Sequence, residues 1–142
     1  MPALPLDIED MIPHRGRMKL ISAVEEVDAH KAVTSAVVSH QWPLFHGSFV
    51  DSFVLVELVA QTAAVHIRWN KGMEKSVGGG GWIVGIKSAD FFRDRIPLHT
   101  TLVTTVKNLY SAENYNVLEG TVTAGTDLLG RIQIQVYRSD AD

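Results

Sequence analysis

Across residues 53–67 nearly every position is apolar, and no separate polar stripe can be drawn at a spacing of three or four residues. A helix that is apolar on all sides has to be wrapped by the rest of its chain. Asp51 and Ser52 supply caps for its start, Gly72 supplies a stop, and Ala60, Ala63 and Ala64 favour helix over strand in its middle. The segment, about 18 residues long, touches the range of a membrane span. Glu57, Gln61, His66 and Arg68 interrupt it, so the pattern predicts a core helix and no membrane span.

The flanking chain reads mainly as strands. Residues 6–11 fit one helical turn that stops before Pro13, because the residue preceding proline disfavours the α region. Residues 18–27 and 31–39 are rich in β-branched side chains and are separated by Asp28, Ala29 and His30, as in a hairpin. Residues 40–48 contain Pro43 and Gly47 and form a loop leading into the helix. Beyond the helix, residues 72–81 make a glycine-rich link. Its four consecutive glycines are followed by a strand and by no GK[ST], so it is not a phosphate loop. Residues 82–92, 100–110, 115–124 and 128–138 are four further strands. The last alternates, with Ile132, Ile134 and Val136 on one side and Arg131, Gln133 and Gln135 on the other. The order predicts a single α+β domain over residues 1–142, an antiparallel sheet curled around one long helix. Such a sheet keeps an open edge, and association through that edge predicts a dimer.

Composition removes several function classes. The 142 residues are 46% apolar and 20% charged, with a formal net charge of −3 and no long basic run, so nothing favours a nucleic-acid partner. There is no cysteine, which excludes disulfides, thiolate metal sites and a cysteine nucleophile. The six histidines lack ligand spacing such as HxxxH, and no metal site is expected. The first ten residues carry Pro, Asp and Glu where a secretory signal needs a basic start and an apolar run, so a cytoplasmic location is expected.

Candidate chemistry lies inside the helix. Glu57 and Gln61 stand four residues apart and share one face. A carboxyl group in apolar surroundings is costly and its pKa rises, which makes Glu57 a candidate general acid. The alternative is a glutamate that reaches solvent or is held by a structural hydrogen bond. His66, nine residues on, is rotated by roughly 180° from Glu57 and reads as a packed histidine. Trp42, Trp69 and Trp82 bracket the helix ends as core or interface anchors.

At this point the chain resembles the hot-dog fold, and within it the β-hydroxyacyl-acyl-carrier-protein dehydratases. IPHRGRMKLISAVEEVD resembles the family opening. Phe45-His46-Gly47-Ser48-Phe49 resembles its F-x-G-H-F loop, and Glu57-Leu58-Val59-Ala60-Gln61 its E-x-M-A-Q helix. Gly85-Ile86-Lys87-Ser88-Ala89-Asp90-Phe91, followed by Ile96-Pro97-Leu98-His99-Thr100-Thr101-Leu102, resembles the strand and P-G-D-x-L turn after that helix. The resemblance is closest to a divergent dehydratase-like branch found with aryl-polyene-type and other fatty-acid or polyketide gene sets.

The resemblance implies removal of water from a 3-hydroxyacyl thioester on phosphopantetheine, supplied by acyl-carrier protein or coenzyme A, with no resident cofactor. A histidine takes the α-proton and a helix carboxylate assists the departing hydroxyl, usually across a dimer interface. Glu57 falls on the acidic position, but the histidine position falls on Ser48, which cannot act as base unaided. His46, two residues earlier, lies on the same side as Ser48 in an extended segment and is either a relocated base or a solvent-facing residue.

By the same resemblance, Gln61 orients loops near the glutamate and, with Phe45, Gly47, Gly85 and His14, belongs to the substrate-binding set. His14 either lines the pocket mouth or folds back on a backbone carbonyl. Arg15, Arg17, Lys19, Lys87, Arg93 and Arg95 are candidate docking charges for an acidic carrier protein. The expected assembly is a homodimer, a higher oligomer, or a heterodimer with another hot-dog subunit. A catalytically silent acyl-carrier binder and an acyl thioesterase using Glu57 with Gln61 are the rival functions.

Overall fold

The computed structural model describes residues 6–12, 16–71 and 82–138. The expected basic cluster at His14 and Arg15, the glycine-rich link and the Gly72 helix stop lie outside the described residues, as do the side chains of Arg17 and Trp82.

A short helix α1 (Ile8–Met11), capped by the Asp7 carboxylate on the Glu9 amide at 3.0 Å, leads into a 3-10 turn, Gly16–Met18. The strands β1 (Ala23–Val27) and β2 (Lys31–Val37) pair antiparallel across the expected hairpin. Two short strands, β3 (Phe45–His46) and β4 (Phe49–Asp51), precede the long helix α2 (Val54–Lys71). Then come β5 (Trp82–Phe91), β6 (Arg95–Pro97), β7 (Thr101–Ala112), β8 (Tyr115–Ala124) and β9 (Asp127–Arg138).

Six strands form one antiparallel sheet in the order β1-β2-β7-β8-β9-β5, and β3, β4 and β6 form a small second sheet. The large sheet holds α2 against its inner face. Leu55, Leu58, Val59 and Val65 of the helix share one buried core with Leu102, Val106, Leu118, Ile132 and Ile134 of the sheet. The fit is close at Gly120: a Cβ there would lie 2.5 Å from Val59 Cγ2. A buried hydroxyl pair, Thr34 Oγ1 to Thr62 Oγ1 at 2.7 Å, ties β2 to the helix, and the Thr62 hydroxyl also donates to the Leu58 carbonyl.

Two expectations are corrected. The first long strand begins at Ala23, not at Met18, because the backbone at Met18 and Leu20 bonds to the Gln61 side chain. The loop expected over residues 40–48 ends in β3, which pairs with β4, while Val50 sits opposite Ile96 and both are buried. This small sheet delivers the chain to α2, where the Asp51 carboxylate accepts from the Phe53 amide at 2.8 Å.

The wrap is one-sided. Phe53, just before α2, and Val56, Glu57, Ala60, Ala64 and Ile67 along it form a stripe that the sheet covers only in part. At the sheet edge, Val84 and Ile86 of strand β5 pair with the buried Val136 and Ile134, so they face the helix side, yet they are 48% and 50% exposed.

Candidate active site

Glu57 lies in that uncovered stripe, in the first turn of α2, half-buried rather than dry. Its Oε1 accepts from Gln61 Nε2 at 3.3 Å. Gln61 is fully buried, its Oε1 accepting from the Leu20 amide at 3.0 Å and its Nε2 also donating to the Met18 carbonyl. The glutamine therefore clamps the opening segment to the helix one turn from Glu57. Both ends of its amide are held by the protein.

The Phe45 to Phe49 loop is a tight hairpin. His46 and Phe49 are cross-strand partners, and Gly47, at φ +70°, lets the Ser48 amide donate to the His46 carbonyl at 2.7 Å, a γ-turn. The extended geometry expected to put His46 and Ser48 on one side is absent, because the chain reverses at Gly47. Both residues are exposed, and the His46 ring leans on Phe49 with centroids 5.8 Å apart. Arg95 lies over the same Phe49 ring, Cζ 4.5 Å from its centroid, a cation–π contact. Phe45 is half-buried beside the core.

Gly85 pairs with Gln135 and shares the outer face of the sheet, where a Cβ would meet nothing within 4 Å. The neighbouring residues on the helix side are Val84 and Ile86. Of the candidate docking charges, Lys87, Arg93 and Arg95 are exposed on or near β5 and β6, and Arg93 Nη2 stands 4.0 Å from the Asp127 carboxylate. Lys19 is paired with Glu9 at 3.2 Å.

His66 is buried at the far end of α2, where its ring bonds the Ala29 carbonyl and its Nε2 lies 3.2 Å from Asn70 Nδ2. Burial pushes its imidazole below the ordinary range, in part offset by the Ala29 bond and the Asp28 charge. It packs there, away from Glu57. Trp42 is buried as an anchor, and Trp69 is 37% exposed.

Among the clefts that indent the described residues, two stand out. One, about 330 Å³, is lined by Lys19, Leu20, Ser22, Val37, Gln41 and Trp42 among others. The other, about 300 Å³, lies between His66, Asn70, Asn108 and Asn116. Neither is lined by Glu57, His46 or Ser48. Among the described residues no group of three or more histidines and carboxylates is placed to hold a metal, and no helix is long and apolar enough to cross a membrane. Sequence reasoning did not find the Gln61 bonds to Met18 and Leu20. Its only signal was a glutamine one turn from a glutamate inside a greasy helix.

An antiparallel sheet wrapped on one long central helix is the architecture of the hot-dog class. Comparison with known proteins agrees. Residues 6–142 match the family model described as ApeP-like, ApeP dehydratase. The chain belongs to the ApeP-like dehydratase family. It is 35% identical over 107 residues to the 3-hydroxyacyl-[acyl-carrier-protein] dehydratase FabZ of Ligilactobacillus salivarius (strain UCC118), spanning 68% of this chain and 74% of that one. It is 26% identical over 138 residues to the FabZ of Rickettsia felis (strain ATCC VR-1525 / URRWXCal2), spanning 89% and 94%. Among solved structures, the dehydratase heterocomplex ApeI:P from Xenorhabdus doucetiae is similar in fold. The TM-score is 0.80 at 19% identity, over 94% of this chain and 91% of that one. The hypothetical thioesterase with coenzyme A from Streptococcus pneumoniae TIGR4 shares the fold at a TM-score of 0.64 and 12% identity.

Proposed function

We propose that this chain supplies the acid of a 3-hydroxyacyl-[acyl-carrier-protein] dehydratase site whose base is carried by a second hot-dog subunit. The observation that carries this reading is the position of Glu57. It lies half-buried in a helix stripe that its own sheet covers only in part, and the edge strand β5 of that sheet carries exposed Val84 and Ile86 on its helix side. Edge strands seek partners, and the apolar stripe gives a partner something to bury. In the reaction the base takes the α-proton, the α,β double bond forms, and Glu57 gives its proton to the hydroxyl leaving the β-carbon as water. Gln61 holds the carboxyl group by its 3.3 Å bond.

Among the described residues, neither Ser48 nor His46 is placed to supply the base. Ser48 occupies the position that the dehydratase resemblance assigns to histidine, and His46 is turned onto Phe49 in an exposed hairpin. Two copies of this chain would bring two serines to their two sites. A partner with a histidine there would complete one, and the fold match to a dehydratase heterocomplex supports such a partner. Lys87, Arg93 and Arg95 are assigned to docking of an acidic carrier.

Purified chain, alone and mixed with a histidine-bearing hot-dog dehydratase subunit from the same source, is incubated with a 3-hydroxyacyl-carrier thioester while water loss, enoyl hydration and thiol release are followed. Water loss that requires both subunits and vanishes with Glu57→Gln supports the reading. Thiol release without water loss indicates a thioesterase. A second reading, favoured by Ser48, is a silent carrier-binding subunit; it is indicated by carrier binding with Glu57→Gln turnover equal to wild type.

A further inference from the structure

We infer that the outer face of the six-stranded sheet is a second interface, and that its occupant is another copy of this chain. That face is otherwise polar, with Lys107, Glu119, Gln133 and Gln135 pointing away from α2. Set into it is a ladder of three tyrosines from three adjacent strands. Tyr110 and Tyr115 have ring centroids 6.0 Å apart, and Tyr115 and Tyr137 are 4.9 Å apart. Tyr110 is 56% exposed and Tyr137 42%, while Val117 lies buried beside them.

The ladder depends on a β-bulge. In β7 the inward positions are Leu102, Thr104 and Val106, and strict alternation would carry Tyr110 inward as well. The register shift between Asn108 and Tyr110 inserts Leu109 and turns Tyr110 out, opposite Val117. The Asn108 side chain clamps the shifted pair: with its amide oriented to suit its neighbours, the nitrogen donates to the Tyr110 and Val117 carbonyls at 3.1 Å each. Exposed Leu109, at the bulge itself, adds apolar surface.

Charge selects the occupant. Lys107 and Glu119 are direct cross-strand partners next to the ladder, so the patch carries both signs side by side. A two-fold-related copy sets Lys107 of each chain against Glu119 of the other, the self-complementarity an isologous contact requires. An acidic carrier or an anionic membrane would meet Glu113 and Glu119 here, interspersed with Lys31, Lys107 and Arg131 on the same face. Tyrosines ordered by mutual contact lose little freedom on docking, which suits them as interface anchors. This contact is separate from the β5 edge, which uses the opposite face and the strand's free hydrogen-bonding groups.

The test is the solution mass of the full chain by sedimentation velocity. Lys107→Glu alone and Glu119→Lys alone each place like charges across the two-fold and are expected to halve the wild-type mass. Mixing the two variants in equal amounts is expected to regain it, a result a merely structural defect cannot give. The Tyr110→Glu/Tyr137→Glu double variant halves the mass without rescue. Unchanged mass in Lys107→Glu, or a mixture that stays at half mass, overturns the inference. A parallel Val84→Lys/Ile86→Lys variant reads the β5 edge separately: if its mass matches wild type while Lys107→Glu still halves it, the edge reading fails and this one stands.

Discussion

Gln61 holds Glu57 and the opening segment in one network: Nε2 lies 3.3 Å from Glu57 Oε1, and the same side chain bonds the backbone of Met18 and Leu20. Orientation of the carboxyl group and closure of the opening segment are thus coupled through one fully buried amide. Gln61→Ala strands the Leu20 amide and the Met18 carbonyl. A loss of about 1–3 kcal/mol is expected for such unsatisfied groups. Urea unfolding measures it, and water loss by the assembled dehydratase should fall with it.

Gly120 carries the close approach of α2 to the sheet. Its missing Cβ leaves room for Val59, and Gly120→Ala forces the two apart. Overpacking of this kind costs about 1–3 kcal/mol, read as a lower denaturation midpoint with an unchanged m-value. The compensating double variant Gly120→Ala/Val59→Ala should recover part of that loss.

Burial lowers the His66 pKa in the folded chain, so the unfolded chain binds the proton more readily. The contribution of neutral His66 is therefore complete above the unfolded value, near 6.5, and is lost as pH falls from there toward the depressed folded value. Melting temperature should drop between pH 7.5 and pH 5.5. His66→Asn should melt lower at pH 7.5 and show a flatter dependence over that interval.

The hairpin that carries His46 and Ser48 is exposed, so substitutions there should move stability by no more than about 0.5 kcal/mol. Because the His46 ring leans on Phe49, His46→Ala should leave turnover of the assembled dehydratase within twofold. Ser48→His should give the chain turnover on its own. Loss of turnover in His46→Ala, seen in a steady-state assay of water loss, would make His46 the base.

The long helix was legible because a run of apolar positions around Ala60, Ala63 and Ala64 fits only a wrapped helix, and β9 because Ile132, Ile134 and Val136 alternate with polar residues. The small β3-β4-β6 sheet was not, since strands of two or three residues are too short to show a period and depend on Val50 meeting Ile96 from far along the chain. Likewise the start of β1 was set by Gln61, a residue 41 positions away from Leu20, which local β-propensity cannot register. The bulge that turns Tyr110 outward was hidden for a similar reason: its clamp is a side chain bonding backbone across two strands. In the candidate site, Glu57 was legible as a charge inside an apolar run. The orientation of His46 was not, because it depends on the sharp reversal at Gly47.

The most direct measurement is the rate of water loss from a 3-hydroxyacyl-carrier thioester by this chain paired with a histidine-bearing hot-dog subunit, comparing wild type with Glu57→Gln at equal complex concentration. The variant pair is expected to assemble and melt like wild type but to lose at least about 100-fold in rate, on the order of the general acid's contribution. An unchanged rate in the Glu57→Gln pair would contradict the role of Glu57 as the acid.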